Sequence, residues 1–265
     1  MKNTCFLYFI LFQLSALAQT GVSVSPPRLY FENGSGQSTT QKVMVTNVSA
    51  SNSLDLAVSL GDWEYDRYGE NIMYEAQTLA ISCTSWITIK KEDSYFSLKP
   101  GEKKELEVTL TAPNVSADTL SVHTAMLYVT QMNPIDDTDA KGSNIKVSVR
   151  SGIKLFHKNP GVKKRKLEIK NAVFNKETHD IGLLFENLGN IWTDGKIFLD
   201  VLNPQTGKKE HTSTTVFYSL PGNSRSMTFT LPTTLEKGVK YIGTILIDYG
   251  DERSLEMAEL KFTYE

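Results

Sequence analysis

SNIKVSVRSGIKLFHK, residues Ser143–Lys158, joins two patterns that together predict a strand at the edge of a β-sheet. Apolar residues alternate with polar ones at three positions, Ile145, Val147 and Val149. This period of two is typical of a strand with one apolar face. Lys154 then stands inside the apolar run Ile153–Phe156. An edge strand with an apolar row and a nearby cation can pair with another polypeptide and bind its terminal carboxylate.

Most of the chain has the same character, with short alternating or β-branched segments separated by turn residues. We predict strands at Ser35–Asn47, Leu54–Leu60, Leu106–Thr111, Leu167–Phe174, Asp180–Glu186, Lys196–Leu202, Ser226–Leu231, Lys240–Tyr249 and Glu256–Tyr264. No stretch has convincing helical periodicity. Strands recurring about every ten residues favour an all-β chain built from antiparallel β-sandwiches.

The chain divides into four predicted segments. Residues 1–18 contain Lys2, a short apolar run and Ala16-Leu17-Ala18, which predicts a secretory signal cleaved after Ala18. A membrane anchor is the alternative, but the apolar run is short for a membrane span. The N-terminal domain covers 19–158, the linker with its Pro-Gly break and basic run covers 159–166, and the C-terminal domain covers 167–265.

Composition and motifs exclude several classes of function. A formal charge of −2 gives no general attraction to nucleic acid or anionic membrane. The four histidines lie far apart in sequence and lack the spacing of metal ligands. No nucleophile elbow or Walker loop is present. We therefore predict no enzyme, no cofactor, no metal and no transmembrane segment in the mature chain.

The order of elements resembles the PapD-like periplasmic chaperones of pilus and fimbrial assembly, which have two immunoglobulin-like domains. Pro27–Phe31 is similar to the family's first strand, whose arginine faces the cleft between domains, and Ile153–Phe156 is similar to the strand that carries the cleft lysine. Leu98–Glu102 resembles the turn before a middle strand. Asp248-Tyr249-Gly250 resembles a C-terminal-domain motif whose aspartate locks the domains together.

The resemblance implies a role for each matched residue. Arg28 and Lys154 would bind the carboxylate of a client subunit, and the Ile145–Val149 row would be the donor strand. Lys158 stands where the family has an arginine, so the resemblance implies an interdomain contact between Lys158 and Asp248.

The implied function is that of a periplasmic chaperone for secreted pilin-like or other β-sandwich subunits, with an outer-membrane usher as a further partner and a self-capped dimer as an alternative state. Two other functions stay open. One is a secreted structural or adhesive immunoglobulin-like module that binds a cell-surface partner without donating a strand. The other is a hydrolase whose site has no sequence signature.

Overall fold

A computed structural model describes residues 21–114, 120–138, 142–161, 163–212, 214–250 and 255–265. The predicted signal peptide, residues 1–18, lies outside these ranges. Within them the regular secondary structure is β-strand, apart from two 3₁₀ turns at Thr84–Trp86 and Lys91–Asp93, and there is no α-helix. None of the helices in these ranges is long and apolar enough to cross a membrane. The all-β prediction is confirmed.

The first half of the chain forms twelve strands: β1 (Val22–Ser25), β2 (Arg28–Glu32), β3 (Ser38–Asn47), β4 (Leu54–Tyr65), β5 (Asn71–Glu75), β6 (Ile87–Ile89), β7 (Tyr95–Leu98), β8 (Lys103–Thr111), β9 (Val122–Gln131), β10 (Ile135–Thr138), β11 (Asn144–Val147) and β12 (Arg150–Lys158). One sheet has the order β1-β3-β8-β6, and the facing sheet has the order β2-β12-β9-β4-β5, with β7 also paired to β4. β10 and β11 form a separate antiparallel hairpin.

The second half forms eight strands: β13 (Leu167–Asn175), β14 (Asp180–Asn187), β15 (Thr193–Leu202), β16 (Lys209–His211), β17 (Thr215–Ser219), β18 (Ser224–Thr230), β19 (Lys240–Asp248) and β20 (Leu255–Thr263). Its sheets have the orders β13-β14-β18 and β16-β15-β19-β20, with β17 paired to β15. The long strands predicted from the sequence are all present, and their observed ends differ from the predicted ends by a few residues.

Period-two alternation explains two separate apolar cores. The first core takes every second residue of the strands between Val22 and Leu155, and the second takes those between Leu167 and Phe262. In β12 the odd-numbered residues Ile153 and Leu155 enter the first core, so Lys154 and Phe156 face the other way. The face opposite the core is therefore available for contact with the second domain.

A third apolar cluster fills that face and joins the two halves of the chain. The first domain contributes Trp63, Tyr65, Met126, Tyr128 and Phe156, and the second contributes Leu220 and the partly buried Trp192. The Phe156 and Trp192 rings lie 5.2 Å apart between centroids, and the Trp63 indole donates to the carbonyl of Ala125 at 2.9 Å. A buried aromatic contact of this kind resists relative motion of the domains.

A buried arginine adds polar contacts to the same interface. Arg225 is only 4% exposed and donates to the carbonyl of Tyr218 at 2.5 Å and, across the interface, to that of Tyr68 at 3.3 Å. The next residue, Ser226, donates its N–H to the carbonyl of Arg67 at 2.6 Å. Gly69 has φ +96°, and a Cβ there would lie 1.9 Å from Nη2 of Arg225. The turn after β4 therefore needs glycine at this position.

The predicted contact between Lys158 and Asp248 is wrong. Lys158 forms an ion pair with Glu32 at 2.5 Å, and Glu32 lies directly opposite it in the β2–β12 register. Asp248 instead accepts a hydrogen bond from the N–H of Gly250. Parallel strand pairing supplies Lys158 with a carboxylate inside its own domain, and among the described residues no ion pair joins it to Asp248.

Replacing Arg225 with methionine should weaken the interface, because the carbonyls of Tyr68 and Tyr218 lose a charged donor at a buried site. The expected loss is about 1–3 kcal/mol in the free energy of unfolding, measured by urea denaturation. Lys237→Met, which changes an exposed lysine in the second domain, is the matched control. Equal stability of the two variants would contradict the assigned role of Arg225.

Candidate functional site

The parallel pairing of β2 and β12 brings two cations side by side. Arg28 and Lys154 are direct partners in this register, as are Tyr30 and Phe156 two residues further on. Leu29 and Phe31, which alternate with Arg28 and Tyr30 along β2, are buried in the first domain. Alternation therefore turns Arg28 and Lys154 away from the first core, toward the side on which the second domain packs.

The ammonium group of Lys154 is fixed by its neighbours. It donates hydrogen bonds to the Tyr65 hydroxyl at 3.0 Å and to Oδ1 of Asn71 at 2.6 Å. It also lies 4.1 Å from the centroid of the Trp63 ring and 4.3 Å from that of Tyr65, within the range of cation–π attraction. All of these partners are uncharged, so they orient the ammonium group without neutralising it.

Arg28 lines a cavity of about 130 Å³ between the domains. Its guanidinium carbon lies 4.8 Å from the centroid of the Tyr218 ring, which belongs to the second domain. Half of the residues that line the cavity are aromatic, and one is a carboxylate: Arg28, Tyr30, Tyr65, Phe156, Trp192, Thr193, Asp194, Tyr218, Ser219 and Leu220. Within the described ranges, no carboxylate lies within 4 Å of the charged nitrogens of Arg28 or Lys154.

The charge state of Lys154 reflects this environment. Partial burial, followed by the positive charge of Arg28, lowers the pKa of Lys154 to about 8. Burial also raises the pKa of Tyr65 to about 12, so Tyr65 keeps its proton throughout the range in which Lys154 titrates. An anion placed near Lys154 would favour its charged form. The site is therefore chemically suited to a carboxylate.

The predicted donor row is split by the fold. β11 ends at Val147, and Val149 lies in the short connection to β12. Ile145 is 39% exposed, whereas Val147 and Val149 are half-buried and Val149 packs against the first core. β11 pairs with β10 on one side, and no other strand in the described part of the chain pairs with it.

β1 partly covers the path from β11 to Lys154. Ser151 of β12 donates to the carbonyl of Val22 at 3.5 Å, and a Cβ added at Gly21 would lie 3.5 Å from Cγ2 of Val149. β1 itself pairs with β3 in the other sheet. Of the segment from Ile145 to Lys154, the accessible part is therefore β11. The stretch from Val149 to Ser151 lies beside Gly21 and Val22.

The sequence patterns did not identify several residues that line the cleft. Tyr30 follows Arg28 by two residues, so strand periodicity alone places it on the cleft face. Trp192, Asp194 and Tyr218 belong to the other domain, and no sequence spacing relates them to Arg28. Among the described residues, no group of three or more His, Cys, Asp or Glu side chains could hold a metal ion.

The sequence matches no protein-family model, and no curated protein matches it at a significant level. Solved structures do match over nearly the whole chain. The Class 5 fimbriae chaperone CfaA is 12% identical, with 92% of this chain and 99% of that chain covered and a TM-score of 0.50. The YadV chaperone is 12% identical, with coverage of 91% and 99% and a TM-score of 0.49.

A chain of the CsuC–CsuE chaperone–tip adhesion subunit pre-assembly complex from Acinetobacter baumannii is 14% identical, with coverage of 91% and 98% and a TM-score of 0.48. At such low identities the structural similarity shows the fold alone, and the assignment of the fold rests on the match to CfaA. The chain has the two-domain β-sandwich fold of the fimbrial chaperones.

Proposed function

We propose that this protein is a periplasmic chaperone that binds β-sandwich subunits of the pilus or fimbrial type. One observation carries the proposal: Arg28, which lines an interdomain cavity rich in aromatic residues, stands beside Lys154, and among the described residues neither cation has a carboxylate within 4 Å. The C-terminal carboxylate of a client subunit would supply the missing charge. The shared fold supports the proposal, since CfaA is a fimbriae chaperone.

Carboxylate binding follows from the geometry of the two cations. The guanidinium group can donate two parallel hydrogen bonds to a carboxylate, and the ammonium group can donate a third. Tyr65 and Asn71 already hold Lys154 in place, so little side-chain freedom is lost on binding. A carboxylate fixed in this way sets the register of the client chain.

Strand addition would extend the contact beyond the cleft. Ile145 lies nine positions before Lys154 in the sequence, a distance of at most about 30 Å for an extended chain. A client strand running from β11 to the cleft would hydrogen-bond to the free edge and cover Ile145 and Val147. Val147 and Val149 are half-buried already. Covering each of them therefore contributes less binding free energy than the roughly 1.5–3 kcal/mol of a full side-chain burial. The cations therefore contribute a large part of the affinity.

The carboxylate should be required for binding. The probe is an N-acetylated peptide of alternating valine and threonine with a free C-terminus, compared with its C-terminal amide by isothermal titration calorimetry. We expect the amide to bind about 10- to 100-fold more weakly, because hydrogen bonds to a charged group contribute about 1.5–3 kcal/mol. In Arg28→Ala/Lys154→Ala the difference should disappear, whereas Lys176→Ala, at an exposed lysine of the second domain, should retain it. Equal binding of both peptides to the unaltered protein would overturn carboxylate anchoring.

Binding of the free-acid peptide should weaken at alkaline pH. The pKa of Lys154 is lowered to about 8 in the free protein, and a bound carboxylate raises it, so binding takes up a proton above that pH. The dissociation constant should be flat below about pH 7 and rise by up to tenfold per unit above about pH 8. Lys154→Arg keeps its charge throughout and should remove the rise. A flat profile in the unaltered protein would show that Lys154 does not hold the ligand.

The edge contact can be tested separately from the carboxylate. Ile145→Asp puts a charge on the exposed row and should weaken peptide binding severalfold while leaving the preference for the free acid unchanged. Val173→Asp, a change of similar kind at an exposed strand position of the second domain, is the control. If Ile145→Asp binds as tightly as the control, the client does not use β11.

A further inference from the structure

The cavity beside Arg28 has an exposed side and a buried base. Two of its tyrosine rings are exposed, Tyr30 of the first domain at 47% and Tyr218 of the second at 39%. Four other lining residues are almost fully buried and form the base: Phe156, Thr193, Ser219 and Leu220. Solvent therefore reaches the cavity beside two tyrosine rings, one from each domain, and the packed interface closes the far end.

The base of the cavity carries no charge. The Thr193 hydroxyl donates to the carbonyl of Ile191 and the Ser219 hydroxyl donates to that of Leu220, each at 3.3 Å. Asp194, the one carboxylate of the lining, is exposed and so lies at the rim. A group that enters the cavity meets aromatic and aliphatic carbon, together with hydroxyls that already donate elsewhere. Such surroundings favour an apolar group over a charged one.

The size of the cavity suits a single six-membered ring. Its volume is about 130 Å³, and an apolar cavity of roughly 150 Å³ can hold a benzene molecule. The walls are aromatic as well: the Tyr30 ring stacks on Phe156 at 5.1 Å between centroids and lies 5.4 Å from Trp192. Aromatic walls give offset or edge-to-face contacts to an entering ring. A phenyl group therefore fills this space, whereas an indole is too large for it.

We propose that this cavity binds the side chain of the client's C-terminal residue and selects an apolar group of about phenyl size there. The inference rests on the proposed function, because the bound carboxylate positions the last residue. In any amino acid the Cα atom lies only about 1.5 Å from the carboxylate carbon. Arg28 itself lines the cavity, and so does Tyr65, whose hydroxyl accepts the hydrogen bond from Lys154. A carboxylate held by the two cations thus brings the terminal side chain to the cavity.

Strand geometry confines this selection to the last position. Successive side chains of an extended chain point to opposite sides. When the terminal side chain enters the cavity, the penultimate side chain points away from it. The client is then recognised by two features of one residue, its carboxylate and its side chain. The same ring placed one position earlier contributes less to binding.

Isothermal titration calorimetry with three N-acetylated free-acid peptides of alternating valine and threonine tests the proposal. Their last two residues are threonine–phenylalanine, phenylalanine–threonine or threonine–alanine, so the first two peptides have the same composition. We expect the peptide with terminal phenylalanine to bind about tenfold more tightly than either of the others, a difference of about 1.4 kcal/mol. A terminal tryptophan should bind more weakly than a terminal phenylalanine.

Enlarging the base of the cavity should change this preference. Leu220→Ala removes side-chain volume from the base, so the peptide with terminal tryptophan should gain severalfold in affinity relative to the one with terminal phenylalanine. Leu235→Ala makes the same change in the core of the second domain, outside the cavity lining, and should leave the preference for phenylalanine unchanged. Circular dichroism checks that both variants are folded. If Leu220→Ala does not fold, the peptide series with the unaltered protein decides the question.

Failure of the two proposals gives different results. Equal binding of a free acid and its C-terminal amide would overturn carboxylate anchoring, and the cavity proposal with it. If the free acid is preferred but the three peptides bind equally, only the cavity proposal falls. The same holds if phenylalanine binds equally well in the last and penultimate positions, since that result would show a general apolar contact. A terminal tryptophan that binds the unaltered protein as tightly as phenylalanine would overturn the selection by size.

Discussion

The parallel pairing of β2 with β12 is the constraint on which the site depends. It forces Arg28 beside Lys154, although two adjacent cations repel each other and burial disfavours the charged form of Lys154. The pairing persists because Leu29, Phe31, Ile153 and Leu155 are buried on the opposite face of the same two strands. Burial of four large apolar side chains outweighs the repulsion of one partly solvated pair. The unfavourable charge arrangement is therefore available for use by a ligand.

The contact between the domains forms a cleft beside that charge pair. Trp63, Tyr65 and Phe156 of the first domain pack with Trp192 and Leu220 of the second, so one wall of the cavity belongs to each domain. Arg225 and the turn at Gly69 hold the same interface through backbone contacts. Tyr65 takes part in both, because it lies in the cluster and accepts a hydrogen bond from Lys154. Domain packing and the chemistry of the cation site thus share residues.

Much of the fold could be predicted because alternation is a local property. The strands around Val43, Leu106 and Ile245 follow from β-branched and alternating patterns, and turn residues bound most of them. The cations could be predicted only by resemblance, since a lysine in an apolar run has no unique meaning by itself. The donor row was predicted less completely, because alternation cannot tell that Val149 turns into the core while Ile145 stays exposed.

The predicted partner of Lys158 shows where sequence reasoning stops. Glu32 and Lys158 are far apart in the chain, and only the parallel register of two strands makes them neighbours. The sequence alone determined which segments are strands, which face of each is apolar and where the chain turns, because these depend on residues a few positions apart. Within the described residues, the tertiary structure decided which cations have no carboxylate within 4 Å, which aromatic rings form the cleft and which strands lie side by side. Those features arise from contacts between distant segments, and no local pattern records them.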